Sequence, residues 1–170
     1  MMMKRNGFSG VLLCCFIALI LPACGTSRSI AEKAQLTHEI EQAVELSDFT
    51  FKATYAYPTG YRSVYLSPYY EVKISPDTVK AYLPYYGRAY RAPIDPREGG
   101  FNFNSTEFTY QSAPGKRRES WTADVTILDL DRPVTFHFEI WGNGTASLHV
   151  NDINRQTISF QGVVEITARE

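Results

Sequence analysis

The apolar positions of this chain follow a helical period first and a strand period afterwards. From Ser29 to Asp48, "SIAEKAQLTHEIEQAVELSD" sets Leu36, Ile40, Ala43 and Val44 at helical spacing, with Glu39, Glu41, Gln42 and Glu45 on the opposite side. Ser29 suits an N-cap, and Glu32 three residues on completes a capping box. The spacing predicts one amphipathic helix of roughly fifteen residues. Its thin apolar face suits a helix laid on a sheet, not one at the centre of the fold.

From Asp48 onward the period is two. "DFTFKATYAY" alternates Phe49, Phe51, Ala53, Tyr55 and Tyr57 against Thr50, Lys52, Thr54 and Ala56. "YYEVKIS" puts Tyr70, Val72 and Ile74 on one face, and "TVKAYL" does the same for Val79, Ala81 and Leu83. Pro76-Asp77 suits the turn between them; a short helix opening at Pro76 is the alternative, and Pro84 arrives too soon for it. Phe101 and Phe103 share a parity that Phe108 and Tyr110 break, so a bulge or interruption is expected near Ser105-Thr106-Glu107. "SAPGKRRES" reads as a polar turn. Trp121, Ala123, Val125 and Ile127 alternate after it, followed by Val134, Phe136, Phe138 and Ile140. Gly142-Asn143-Gly144 is a tight-turn signal, from which Ala146, Leu148 and Val150 return. Ile158 and Phe160, a break at Gln161-Gly162, then Val164 and Ile166 end the pattern. About eight or nine short strands result, with turns at roughly 8–12-residue spacing. The fold class is mainly β: an antiparallel meander forming a small barrel or a two-layer sandwich, with one N-terminal helix packed on it. No internal repeat interrupts it, so residues 29–170 read as a single β-rich domain.

The N-terminus has a different pattern. "MMMKRNGFSG" carries Lys4 and Arg5 and no acid, Val11 to Leu21 is apolar throughout, and "PAC" follows. This is the layout of an export signal over residues 1–23. Eleven apolar residues rise only about 16 Å as a helix, roughly half of a hydrocarbon core, so a permanent span is not expected. Leu21-Pro22-Ala23-Cys24 resembles the lipobox of bacterial lipoproteins, although Pro22 departs from the usual small or branched residue. The resemblance implies that Cys24 carries the lipid attachment and that acyl chains such as palmitate hold the protein at a membrane surface. Residues 24–28, small and polar, would be the tether.

Charge and cysteine narrow the function classes. Of the 170 residues, 17 are basic and 18 acidic; without Lys4 and Arg5 the balance is 15 to 18, a net of −3, which argues against a nucleic-acid partner. The three cysteines are Cys14 and Cys15, inside the signal, and Cys24. A domain after Cys24 therefore has no thiol for a disulfide, a zinc site or a nucleophile. No G-x-S-x-G occurs. Parity places His137 with Thr135 and Glu139, and His149 with Ser147, opposite the apolar sets. If the strands around Gly142-Asn143-Gly144 pair, the two histidines approach across the sheet. Asp129 and Asp131, and Asn151, Asp152 and Asn154, read as turns; they lack the glycine turn and glutamate of a calcium loop. No cofactor and no metal is expected.

All 11 tyrosines fall between Tyr55 and Tyr110. Tyrosine joins an apolar body to a wet tip and suits half-buried faces, interfaces and sugar-stacking platforms. In "AYLPYYGRAYRAPIDPREGGFNF" the candidates for a ligand or partner surface are Tyr85, Tyr86, Arg88 and Tyr90; Arg62, Arg91 and Arg97 could add anion-binding groups. The competing reading is an exposed strand face followed by a rigid loop with Pro93, Pro96 and Gly99-Gly100.

At "YLPYYGRAYRAP", "EGGFNFNSTEFTYQ" and "NRQTISFQG" the sequence resembles a family of Bacteroidetes lipoproteins, the domain of unknown function 4251 family, over roughly Tyr65 to Ile166. The resemblance implies a lipidated, exported β-rich domain and brings no catalytic residue with it. Asp77-Thr78-Val79 resembles the short O-glycosylation motif of exported proteins in such bacteria, which makes Thr78 a candidate modification site. The stretch after Cys24, "GTSRSIAEK", lacks the acidic pair linked there to surface display, so an outer-membrane anchor facing the periplasm is expected. Together these readings give a membrane-anchored, non-catalytic binding domain for a small apolar or glycan ligand or an envelope protein. The alternative is a structural or assembly component of the cell envelope, and an enzyme ranks third.

Overall fold

The computed structural model describes residues 29–90 and 99–166. The signal 1–23, Cys24, the tether 24–28, and Arg91, Pro93, Pro96 and Arg97 lie outside the described residues. Helix α1 spans Ile30–Glu45. The Ser29 hydroxyl accepts from the Glu32 amide at 3.2 Å, and the Glu32 carboxylate accepts from the Ser29 amide at 2.8 Å. The far end closes with Ser47 at φ 52°, where the Asp48 amide donates to the Ala43 carbonyl at 2.9 Å and that of Ser47 to Val44 at 3.3 Å. This is a Schellman end with serine in the left-handed position that usually takes glycine. Ile40, Ala43 and Val44 are buried.

Ten strands follow among the described residues: β1 (Phe49–Pro58), β2 (Val64–Tyr65), β3 (Glu71–Ser75), β4 (Thr78–Pro84), β5 (Gly100–Ser105), β6 (Phe108–Pro114), β7 (Ser120–Ile127), β8 (Val134–Trp141), β9 (Thr145–Asp152) and β10 (Ile158–Glu165). The hydrogen-bonded path is β5-β4-β3-β1-β10-β9-β8-β7-β6, with β2 beside β1, and its ladders are antiparallel. The two strands that end this path, β5 and β6, are separated in sequence only by Thr106 and Glu107. Three peptide units reach about 11 Å. A nine-strand path whose ends are that close must curl round, and the sheet is nearly closed into a barrel. The parity slip expected near Ser105–Glu107 is the point where the chain leaves β4 as partner and takes up β7.

The interior is filled by phenylalanine. Phe138 meets Phe49 edge-on at 5.6 Å and Phe51 at 5.8 Å, and Phe103 of β5 stacks on Phe136 of β8 at 5.9 Å, joining opposite walls. Phe49, Phe51, Phe136, Phe138 and Phe160 are fully buried, and α1 adds Ile40 and Val44 to the same core. The helix is held to the barrel by Thr37, whose hydroxyl donates to the Gly142 carbonyl at 3.2 Å, and by Tyr110, whose hydroxyl donates to the Val44 carbonyl at 2.5 Å. Burial pushes the Tyr110 phenol above the ordinary tyrosine range.

Three expectations change. Thr54 is an extra residue in β1, because Ala53 pairs with Gly162 and Tyr55 with Gln161. Beyond this bulge the faces exchange: Ala56 and Pro58 are buried, and Tyr55 and Tyr57 point out. Gln161-Gly162 is not a break, since β10 runs through it. Gly162 is there because a Cβ would stand 1.9 Å from the Lys52 carbonyl oxygen. Finally, Ser112-Ala113-Pro114 belong to β6, which shortens the turn after it to 115–119.

Candidate functional site

Two concavities flank the end of the barrel formed by the loops after β7 and β9. The first is a groove of about 530 Å³ along the unpaired side of β5, between Phe101 and Phe103 and the β7–β8 loop with Leu130 and Arg132. Side chains join the walls here. Asp129 accepts from the Ser105 hydroxyl at 2.6 Å and the Thr106 amide at 3.2 Å, and Arg155 donates to the Gly100 carbonyl at 3.1 Å. The Ser105 hydroxyl and the Thr106 amide hold the Asp129 carboxyl below its ordinary pKa. Asp152 lies behind the groove, its side chain 1% exposed. It accepts from Arg132 at 2.6 and 2.9 Å and faces Arg155 at 3.6 Å. Burial raises its pKa, but Arg132, the Asn154 amide and Arg155 outweigh that effect, so the carboxyl stays below the ordinary range. The Arg155 guanidinium in turn lies 5.1 Å from the Tyr85 ring centre and 5.2 Å from that of Phe101. The arrangement is a polar clamp in which the arginines are engaged from within.

The second concavity, about 320 Å³, is lined by Thr59, Gly60, Tyr61, Arg88, Tyr90 and Gln156. Gly60 has φ +80°, which lets the chain double back after β1 and bring Tyr61 to the rim. The segment opposite is fixed by its backbone: the Arg88 carbonyl accepts from the Gln156 amide at 3.0 Å and the Tyr85 hydroxyl at 2.9 Å, and the Tyr90 amide donates to Asn154 at 2.8 Å. The four residues read from the sequence therefore separate into two pairs. Tyr85 and Tyr86 are half-buried against the core, and burial raises both phenols. Arg88 and Tyr90 are exposed and line the cleft. The Tyr85 hydroxyl supports this segment from behind, on the carbonyls of Arg88 and Gln156. Tyr61 and Gln156 escaped the sequence reading because they come from other loops and no local pattern ties them to Arg88.

Beside this cleft the outer face of β1 and β2 carries a tyrosine cluster: Tyr55 lies 5.2 Å from Tyr65 and 6.4 Å from Tyr57, ring to ring. Tyr70 and Tyr82 stack at 5.3 Å. Tyr65 and Tyr69 are more than 70% exposed. Arg62 is exposed on the β1–β2 loop.

On the outer face of the neighbouring strands, His137 of β8 stands directly opposite His149 of β9, as expected from the turn between them. His137 Nδ1 donates to Asp124 at 2.5 Å, and His149 Nδ1 pairs with the Ser159 hydroxyl at 2.8 Å. The acid and the hydroxyl engage different imidazoles, so this is not a nucleophile–base–acid relay. Among the described residues no group of three or more His, Cys, Asp or Glu gathers to hold a metal. Thr78 opens β4, half-buried, with its hydroxyl on Asp77 at 3.1 Å.

The comparisons with known proteins point one way. Residues 31–164 match the family model described as a domain of unknown function, DUF4251. The fold is similar to the crystal structure of a DUF4251 family protein from Bacteroides eggerthii DSM 20697, at 12% identity and a TM-score of 0.58, over 80% of this chain and 91% of that one. No curated protein matches the chain.

Proposed function

The chain belongs to the DUF4251 family, and from that premise we propose a non-catalytic binding domain, held at the periplasmic side of the outer membrane by lipid on Cys24, whose ligand is a glycan. The observation that carries this reading is the contrast between a barrel interior packed with phenylalanine and a tyrosine-rich exterior. A filled interior favours contact at the surface over a small apolar ligand enclosed in the barrel. Tyr61 and Tyr90 offer flat apolar faces to sugar rings, while Arg88, Gln156 and Thr59 offer donors and acceptors to hydroxyl or acidic substituents.

Two experiments test the two halves of the proposal. Cys24→Ser is expected to move the protein from the membrane to the soluble fraction, and unchanged fractionation defeats the anchor. For the ligand, the protein is screened on an oligosaccharide array and hits are measured by calorimetry. Tyr90→Ala and Tyr61→Ala are each expected to weaken the best hit by about tenfold, the loss of about 1.4 kcal/mol. An array without hits, together with cross-linking of an envelope protein through Tyr55 or Tyr65, would replace the glycan reading with that of an assembly component. The exposed tyrosine cluster is the feature that favours that second reading.

A further inference from the structure

We propose that His137 and His149 form a two-imidazole binding site for a first-row divalent transition ion, Cu²⁺ above Zn²⁺, on the outer face of β8 and β9. The site is independent of the glycan reading. A single row of outward residues crosses five neighbouring strands: Asp124 on β7, His137 on β8, His149 on β9, Ser159 on β10 and Tyr57 on β1. The two imidazoles at its centre have ring centres 6.3 Å apart and planes inclined by 35°. With nitrogen–metal bonds of about 2.0–2.1 Å, two imidazoles on one ion hold their ring centres about 5–6 Å apart. The observed separation lies close to the upper end of that range, and the two Nδ1 atoms face outward to β7 and β10, away from each other.

The surroundings are arranged as metal-binding histidines require. Asp124 takes the Nδ1 proton of His137, and the Ser159 hydroxyl can take that of His149. With both Nδ1 atoms so engaged, each ring offers its Nε2 lone pair, and each orientation is fixed from behind by an acid or a hydroxyl. Both histidines are half-buried and sit on paired central strands, so little order is lost on binding. No third His, Cys, Asp or Glu joins them among the described residues, so water completes the coordination. Such a site exchanges its ion instead of locking it in place, and imidazole donors rank Cu²⁺ above Zn²⁺.

The test uses the full chain with its three cysteines alkylated and titrates Cu²⁺ and Zn²⁺ separately. The expected result is one Cu²⁺ per chain with two-nitrogen hyperfine structure in the electron paramagnetic resonance spectrum, and weaker Zn²⁺ binding. His137→Gln and His149→Gln should each lower Cu²⁺ affinity at least about tenfold and leave one coordinating nitrogen, and Asp124→Asn should lower it about tenfold through the ring it orients. His38→Gln, on the helix, should change nothing. Far-ultraviolet circular dichroism shows that each variant is folded. Cu²⁺ affinity that survives both His137→Gln and His149→Gln, or binding that His38→Gln removes, overturns the proposal.

Discussion

The outer faces of the two halves of the barrel differ in one respect. On β7–β10 the outward residues satisfy one another: Thr126 and Thr135 meet at 3.3 Å, Asp124 holds His137, and Ser159 holds His149. On β1–β4 the outward row mixes charged residues, Lys52 paired with Glu71 among them, with Tyr55, Tyr57, Tyr65 and Tyr82, which touch other tyrosine rings and keep exposed faces, Tyr65 at 71% and Tyr82 at 48%. The inward faces are alike, Phe and aliphatic in both halves. The alternation that builds a barrel needs only the inward set, and the proposed recognition rests on tyrosines that stand outside that set.

That contrast predicts a separation of stability from recognition. Phe138→Ala empties the centre of the aromatic core and should cost about 4 kcal/mol in urea unfolding; a loss under about 1 kcal/mol would mean that the interior is not tightly packed. Asp152→Asn removes the charge shared by Arg132 and Arg155 and turns one of its two acceptor oxygens into a donor, which should cost about 3 kcal/mol at neutral pH. The native pKa of Asp152 lies below the unfolded value, so its contribution is complete above the unmodified value of 3.8 and is lost as pH falls through the native one. Unfolding midpoints measured from pH 6 down to pH 2 should therefore fall less steeply in Asp152→Asn than in the parent. The smallest effect is expected at Tyr65→Ser, within about 0.5 kcal/mol of the parent. If that variant instead unfolded the protein, the tyrosine face would be structural and the contrast between the halves would fail.

Much of the architecture was legible in the chain because two periods and a handful of turn residues encode it. The capping box, the Pro76-Asp77 turn, the Gly142–Gly144 turn and the slip before Phe108 all stand where the pattern puts them. The bulge at Thr54 was not legible: alternation continues through it in the sequence, and the extra residue arises only in the pairing of β1 with β10, a strand far along the chain, which turns Tyr55 outward. The candidate site was half legible. Arg88 and Tyr90 are where the tyrosine-arginine run suggested, but the cleft also needs Tyr61 and Gln156, which lie 27 residues before and 68 after Arg88 and reach it only through the barrel. Asp152 read as a turn residue because nothing local marks its burial between Arg132 and Arg155.

The two-residue passage at Thr106-Glu107 has a consequence for the molecule's solubility. It leaves β5 and β6 unpaired with each other, so side chains cover the flank of β5 against a neighbouring copy: Asp129 on Ser105 and Thr106, and Arg155 on Gly100. Loss of those contacts would bare the flank, and at high concentration copies would then be prone to zip edge to edge into higher assemblies.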